Sequence, residues 1–414
     1  MKKKKVCIFN ENSRAAVYGI GTYIDQLTTV LKDSDLEFNL IYLYAKGTEV
    51  RIEEKGHYKQ ISIPGYKSVG RKNDHKYYTR NVVYLLKEFL PEDKETEYVF
   101  HLNFMTNEYL VRHLKKTFRC KTILVSHYTN WSFALFGNYS KLKKIVNIPK
   151  KALKEHEERA IVEGVKEDLK MIKKVDRFVC VAEHTLKAFK QIENIPSEKT
   201  SIVNNALADT YVQLSNDERL QLKKKYCINE QEKIIVFAGR LDEVKGIAYL
   251  IQAFKKTLEL YPNAHLFILG DGNYNLWLKE STDCWSRITF TGRLDKERLY
   301  DFYHIADVGI VCSLHEEFGF VAIEMMMHTL PIIVTKTGGL DEIVEDTGSG
   351  LKVPVRTIKG KRQVDVKVLA DKMCFLLENP IDAKELGENG RKRFLEKYEL
   401  SLFGNKMLNL YNTI

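Results

Sequence analysis

Short apolar runs, rich in β-branched and aromatic residues and each followed by an amphipathic stretch, recur along almost the whole chain. Residues 6–9, 38–44, 98–102, 122–126, 178–181 and 200–203 form a first series of such runs. Each is short and bounded by turn residues, as expected of a strand buried on both faces. The segments between them are long enough for crossover helices, so a doubly wound, mostly parallel α/β sheet is predicted. The pattern then restarts at 233–239, 264–270, 287–290, 307–312 and 331–334. Between the series lies a polar stretch, 207–232, rich in Gln, Lys, Asn and Asp. At 414 residues the chain is also too long for one core. Two domains are therefore expected, 1–206 and 207–395. Beyond Pro380 the chain reads as mostly helical, and Leu400, Phe403, Met407, Leu410 and Ile414 line one apolar face of a last helix, 396–414. In such sheets ligands bind beyond the carboxyl ends of the strands.

Several function classes fall away. No apolar run is long enough to span a bilayer. The opening MKKKK resembles the basic region of a secretory signal, but the apolar stretch after it is only four residues and is followed by Asn-Glu-Asn-Ser-Arg, so no export is expected. Seven cysteines without CxxC spacing fit a reducing cytoplasm and argue against a zinc site; Cys7, Cys180 and Cys312 sit inside apolar runs and read as core residues. The net charge is +10, and residues 141–174 hold eleven Lys or Arg against six acids. That segment reads either as a solvated helix face or as a contact for the inner, anionic face of a membrane. Trp131, Phe133 and Phe136 before it read as an apolar edge to such a contact or as core. No nucleic-acid partner is expected.

Four loops at strand ends carry the chemistry. Ser313-Leu-His-Glu316-Glu-Phe318-Gly319-Phe-Val-Ala-Ile-Glu324 follows the run at 307–312 and opens a helix. Gly319 admits a ligand to the helix start, whose free N–H groups favour anions. The carboxylates of Glu316 and Glu324 suit sugar and ribose hydroxyls, each ionised oxygen being a strong acceptor. With the helix beginning near Phe318, Glu324 is expected about two turns along it. The second loop, Gly239-Arg240-Leu-Asp-Glu-Val-Lys245-Gly246, brackets a short turn with two cations able to neutralise a diphosphate. Alone, the pair also reads as two solvated surface charges. Gly270-Asp-Gly and Gly292-Arg293-Leu294 end the next two strands.

Taken together, these loops resemble those of retaining glycosyltransferases of the GT-B fold, the group 1 or family 4 type that includes sucrose and starch synthases. Glu316 and Glu324 match that family's Glu-x7-Glu, and Gly239-Arg240…Lys245-Gly246 its phosphate clamp. In the first half, Tyr18-Gly19-Ile-Gly21 resembles its glycine loop, Val125-Ser-His127 its strand-end histidine, and Ile202-Val-Asn-Asn205 its interdomain hinge without Pro or Gly. The match covers nearly the whole chain and is specific mainly from 237 to 345. It implies two Rossmann-like domains facing across a cleft, with the C-terminal helix crossing back to the first. It also implies a nucleoside-diphosphate-sugar donor and an unidentified acceptor. Arg240 and Lys245 would hold the diphosphate, Glu324 the ribose, and Glu316 and His127 the transferred sugar. Backbone near Arg293 and Leu294 would meet the base, while Gly19, Gly21, Gly239, Gly270, Phe318 and Gly319 shape the donor site. One departure stands out: Glu317 follows Glu316 where the family carries Pro or Ser, which is expected to add charge near the sugar.

The resemblance implies retention at the anomeric carbon. No nucleophilic carboxylate close to an acid is evident, so a same-face displacement is expected, with the leaving phosphate taking the acceptor proton. No Asp-x-Asp metal motif occurs, and no cofactor or metal is expected, the two cations standing in for Mg²⁺. A catalytically silent subunit that positions a partner, or a nucleotide-sugar epimerase, are the alternatives. A phosphorylase is usually a much longer chain and carries a pyridoxal lysine.

Overall fold

The computed structural model describes residues 3–12, 18–66, 73–91, 95–105, 107–149, 152–153 and 155–414. The chain divides into two compact units, one of Met1–Ala134, Tyr139–Asn205 and Leu400–Ile414, the other of Leu135–Asn138 and Ala206–Glu399.

The first unit is built on β1 (Lys3–Glu11), β2 (Glu37–Ala45), β3 (Arg51–Glu54), β4 (Tyr58–Pro64), β5 (Thr96–Leu102), β6 (Cys120–Ser126), β7 (Arg177–Cys180) and β8 (Thr200–Ile202), in the order β3-β4-β2-β1-β5-β6-β7-β8. All pairs are parallel except β3 with β4. Val6, Cys7, Ile8 and Phe9 are wholly buried at the centre. The pair β3–β4 went unanticipated because its signal is faint. β3 is Arg-Ile-Glu-Glu, exposed throughout, and its glutamates pair with Lys55 and Lys59, a charged edge that resists further strand addition.

The last helix, Leu400–Thr413, packs on the helix Gly19–Lys32 of this unit. Phe403 meets Tyr23 edge-on at 5.4 Å, Gly404 lets the two helices approach at Val30, and the Tyr411 hydroxyl bonds His101 Nδ1 at 2.7 Å. The buried face is Phe403, Gly404, Met407, Leu410 and Tyr411. The helix begins at Leu400, not at 396, because the preceding helix, Pro380–Lys397, ends before Tyr398 and Glu399. Ile414 lies past its end.

The second unit holds a six-stranded parallel sheet of β9 (Lys233–Ala238), β10 (Ala264–Leu269), β11 (Ile288–Gly292), β12 (Val308–Val311), β13 (Ile332–Thr335) and β14 (Leu351–Val353). Its order is β11-β10-β9-β12-β13-β14. From β9 the chain winds outward to β10 and β11, then returns to the other side of β9 for β12, β13 and β14. The loops after β9 and β12 thus part at the topological switch point, where doubly wound sheets hold their ligands. Three elements of this unit were not foreseen: β14, the two-stranded antiparallel pair Val355–Ile358 and Lys361–Val364, and the helix Asn216–Lys225 within the polar stretch. That helix buries no residue. It starts on a capping box, Ser215 with Glu218, and is held near its far end by Lys225 and Tyr226, which both donate to Asp301.

Of the cysteines, Cys7, Cys180 and Cys312 are buried free thiols, and burial pushes Cys7 and Cys312 up to about 12. Trp131 is buried and its indole donates to Asp168 at 2.8 Å, so it forms core, not a surface edge. Burial pushes that Asp168 carboxyl up to about 7. Phe136 packs against the core of the second unit. The basic segment, apart from 150, 151 and 154, which lie outside the described residues, forms the helices Tyr139–Val146 and His156–Lys174, each with a buried apolar face. Among the described residues no helix is long and apolar enough to cross a membrane.

Candidate active site

The loops at the second sheet's carboxyl edge are joined backbone to backbone. Gly239 N donates to Leu269 O at 2.9 Å and Leu241 N to Asp271 O at 2.8 Å, tying the loop after β9 to the loop after β10. Gly270, with φ 154°, sits so close that a Cβ there would fall 1.9 Å from Gly239 O. Across the switch point Leu314 N donates to Val244 O at 2.7 Å. Between them runs a single turn, Glu243–Lys245, closed by Gly246 in the left-handed region. A Cβ on Gly246 would meet Cys312 O at 2.1 Å. Gly246→Ala combines a left-handed alanine with a backbone clash, and should lower stability by about 2 kcal/mol or more. A urea midpoint indistinguishable from the wild type would contradict this packing.

These contacts set two charged groups on each other. Lys245 Nζ donates to Glu316 Oε1, and Ser313 Oγ donates to the same oxygen at 2.9 Å. Both charged side chains are largely enclosed, 17% and 14% exposed. Arg240, a quarter exposed, pairs with Asp242 at 3.0 Å. The Glu316 loop is fixed from β13: Thr337 Oγ1 donates to Leu314 O at 3.1 Å and Gly339 N to Glu316 O at 2.9 Å. Gly339 is a site residue that sequence reasoning missed. A Cβ there would lie 2.2 Å from Phe318 O, and its only signal is the Gly-Gly pair opening the helix after β13.

Glu317 corrects one expectation. Its carboxylate is 5% exposed and bonded to His315 Nε2 at 2.9 Å, so its charge is taken up inside the loop. Gly319, with φ 120°, caps the helix Phe320–Met327. Glu324 therefore lies little more than one turn along that helix, not two. It is buried, and burial pushes its carboxyl up to about 7, against the smaller opposing pull of Lys296 and Tyr303. Phe318 is buried edge-on to Phe320 and Tyr398. Gly292, with φ 75°, turns the chain after β11, leaving Arg293 exposed and Leu294 half-buried. Thus Arg240, Lys245, Glu316, Glu324, Gly239, Gly270, Phe318, Gly319, Arg293 and Leu294 all stand on or just after the carboxyl edge of one sheet.

In the first unit Gly19 and Gly21 open the helix Gly19–Lys32, and neither adopts a positive φ. Residues 13–17, just before them, lie outside the described residues. His127 follows β6. Its Nε2 bonds Asn103 Oδ1 at 2.9 Å, Tyr23 meets it edge-on at 4.5 Å, and burial pushes its pKa down to about 3, so the ring is neutral. Asn103 is the partner sequence reasoning missed. Its amide also donates to Phe9 O at 3.0 Å, anchoring the ends of β1, β5 and β6 to one side chain.

Residues 218–393 match the family model described as glycosyl transferases group 1. The chain is 32% identical over 240 residues to the lipopolysaccharide 1,2-N-acetylglucosaminetransferase of Salmonella typhimurium, covering 54% of this chain and 62% of that one. It thus spans less than two thirds of the length of that relative. Sucrose-phosphate synthase from Thermosynechococcus elongatus superposes with a TM-score of 0.75 at 20% identity, over 99% of this chain and 98% of that one. An Anabaena protein crystallised with UDP and glucose superposes with a TM-score of 0.74 at 14% identity, over 99% and 100% of the two chains. The fold is accordingly that of the GT-B proteins, two Rossmann-like domains.

Proposed function

We propose, from the match of residues 218–393 to the glycosyl transferases group 1 model and the site geometry above, that the protein transfers a sugar from a nucleoside diphosphate to an acceptor hydroxyl, with retention at the anomeric carbon. The observation that carries this reading is the Lys245–Glu316 pair, a cation and a hydroxyl-accepting carboxylate held together at the switch point. Arg240 and Lys245 hold the two phosphates, and the N–H groups at Gly319 face the leaving oxygen. Glu324 accepts from the ribose hydroxyls and Glu316 from the sugar. Backbone at Arg293 and Leu294 borders the base. His127, neutral, donates or accepts at the sugar from the first unit, and Gly19 and Gly21 keep their helix start bare.

As the glycosidic bond to phosphate breaks, charge gathers on the leaving phosphate, where the cations stabilise it. The acceptor oxygen enters from the same face and its proton passes to a phosphate oxygen. The presence of a UDP complex in the Anabaena neighbour supports trying uridine donors first. The experiment is a panel of nucleotide sugars, with slow release of free nucleotide as the signal. One or a few donors should turn over, and EDTA should leave most of that activity, the two cations replacing a divalent ion. Activity lost to EDTA and restored only by Mg²⁺ or Mn²⁺ would overturn the cation account. No turnover of any donor that binds would favour a silent subunit.

A further inference from the structure

Far along the sequence from these loops, the first unit carries a second charged surface. The helices Asp74–Phe89 and Glu108–Thr117 pack side by side through buried apolar faces that include Val82, Val83 and Leu86 on one and Leu110, Val111 and Leu114 on the other. Their outer faces carry two stripes at helical spacing. On the first helix Tyr77, Arg80 and Tyr84 follow one another at three and four residues; on the second, Tyr109, Arg112 and Lys116 do the same. Lys76, Arg80, Arg112 and Lys116 are all exposed. All four reach His113, whose pKa is lowered first by burial and then by each of these cations. Glu108 answers only part of this charge, pairing with Arg112 at 3.5 Å and with Lys174 at 3.5 Å.

Aromatic rings are threaded through the patch. The Arg80 guanidinium lies over Tyr77 at 5.2 Å, and Lys76 and Arg112 lie over Tyr109 at 6.0 and 5.9 Å. Tyr84 is 69% exposed, Tyr77 48% and Leu85 37%, on a helix whose other side is sealed. Clustered cations with protruding tyrosines and a leucine match a surface that is anionic outside and apolar just beneath.

We infer that this two-helix face docks the protein on an anionic phospholipid surface. The cations meet headgroup phosphates while Tyr84, Tyr77 and Leu85 enter the headgroup layer. The helix His156–Lys174 packs against Glu108–Thr117, so this later part of the basic segment borders the face. A nucleic acid would use the same cations but has no use for Leu85, and it serves as the competing outcome.

The test uses the full chain and sedimentation with phosphatidylcholine vesicles, with and without phosphatidylglycerol. Binding is expected only with the anionic lipid and should weaken as salt rises, since exposed charges are screened beyond about 8 Å at physiological strength. Arg80→Glu with Lys116→Glu should lower vesicle affinity at least tenfold, each charge near such a surface being worth about fivefold. Tyr84→Ser should lower it several-fold even where salt has removed most of the charge effect. Lys143→Glu with Lys144→Glu, on the helix Tyr139–Val146 that packs against His156–Lys174, should cost less. Unchanged thermal melting shows that the variants fold, and should the double reversal unfold, the salt series and Tyr84→Ser still decide. No binding to anionic vesicles, equal binding to neutral ones, or a dominant loss from the Lys143 and Lys144 pair would overturn the inference. Tighter binding to RNA than to vesicles, indifferent to Tyr84→Ser, would assign the face to nucleic acid instead.

Discussion

Lys245→Ala is expected to lower kcat/KM for the preferred nucleotide sugar by about 10²–10³, the cost typical of removing one preorganised charge at a developing anion. Arg240→Ala should fall in the same range, because in the proposed clamp its planar fork would meet two phosphate oxygens. Both variants should stay folded. The loops around them are joined by backbone bonds, Leu314 N to Val244 O and Leu241 N to Asp271 O, which neither substitution touches. Free nucleoside diphosphate should bind more weakly to both, since the proposed clamp would act on the leaving group as well as on the donor. Lys245→Arg keeps the charge but not the reach between Glu316 and a phosphate, so it should recover only part of the loss. Steady-state kinetics beside calorimetric nucleotide affinity decides the matter. Wild-type values in both alanine variants would remove the phosphate clamp from the account.

The second large effect separates the two glutamates. Glu316→Ala should depress transfer by about 10²-fold or more, a carboxylate–hydroxyl hydrogen bond being worth roughly 1.5–3 kcal/mol and more if it tightens in the transition state. Its affinity for free nucleoside diphosphate should be no weaker than wild type. Glu324→Ala should weaken free nucleotide and intact donor alike. Glu324 adds a pH signature. Burial pushes its carboxyl up to about 7, so it is mostly neutral at pH 6 and mostly ionised at pH 8. Ribose hydroxyls donate best to the ionised form, hence nucleotide affinity should rise with pH through about 7 and binding should release a proton on the acid side. Glu324→Gln should flatten that rise. Loss of nucleotide affinity in Glu316→Ala with none in Glu324→Ala would reverse the placement of the donor.

How far these residues could be read in advance follows from what each contributes to hydrophobic patterning. The interior strands β1, β5, β6, β9, β10, β12 and β13 are buried on both sides and announce themselves as apolar runs. The edge pieces do not: β3 is fully exposed, and the helix Asn216–Lys225 buries nothing, so neither leaves a period to detect. The charged site residues stood out only together, as loops at successive strand ends that resemble those of one family; Arg240 and Lys245 alone read equally as solvated charges. Asn103 and Gly339 act through one amide bond and one missing Cβ; nothing beside Asn103 marks it, and the Gly-Gly pair at Gly339 reads as an ordinary turn. Glu317 was misjudged because spacing alone does not say that His315 closes on it. The start of the helix at Phe320 depends on Gly319 taking φ 120°, which no periodicity reveals.

The bond between Lys245 and Glu316 also bears on what the proposed donor site would admit and what it would let go. With that cation and carboxylate satisfied by each other, a lone anion would gain little: inorganic phosphate that captured Lys245 would leave Glu316 with the Ser313 hydroxyl. On the proposed reading, a molecule bearing diphosphate and sugar together would satisfy both groups in one exchange, so recognition would behave as a two-key lock. Once the sugar had moved on, the remaining nucleotide would hold only one key. The internal pair would then compete for its own lysine and help to expel the spent product.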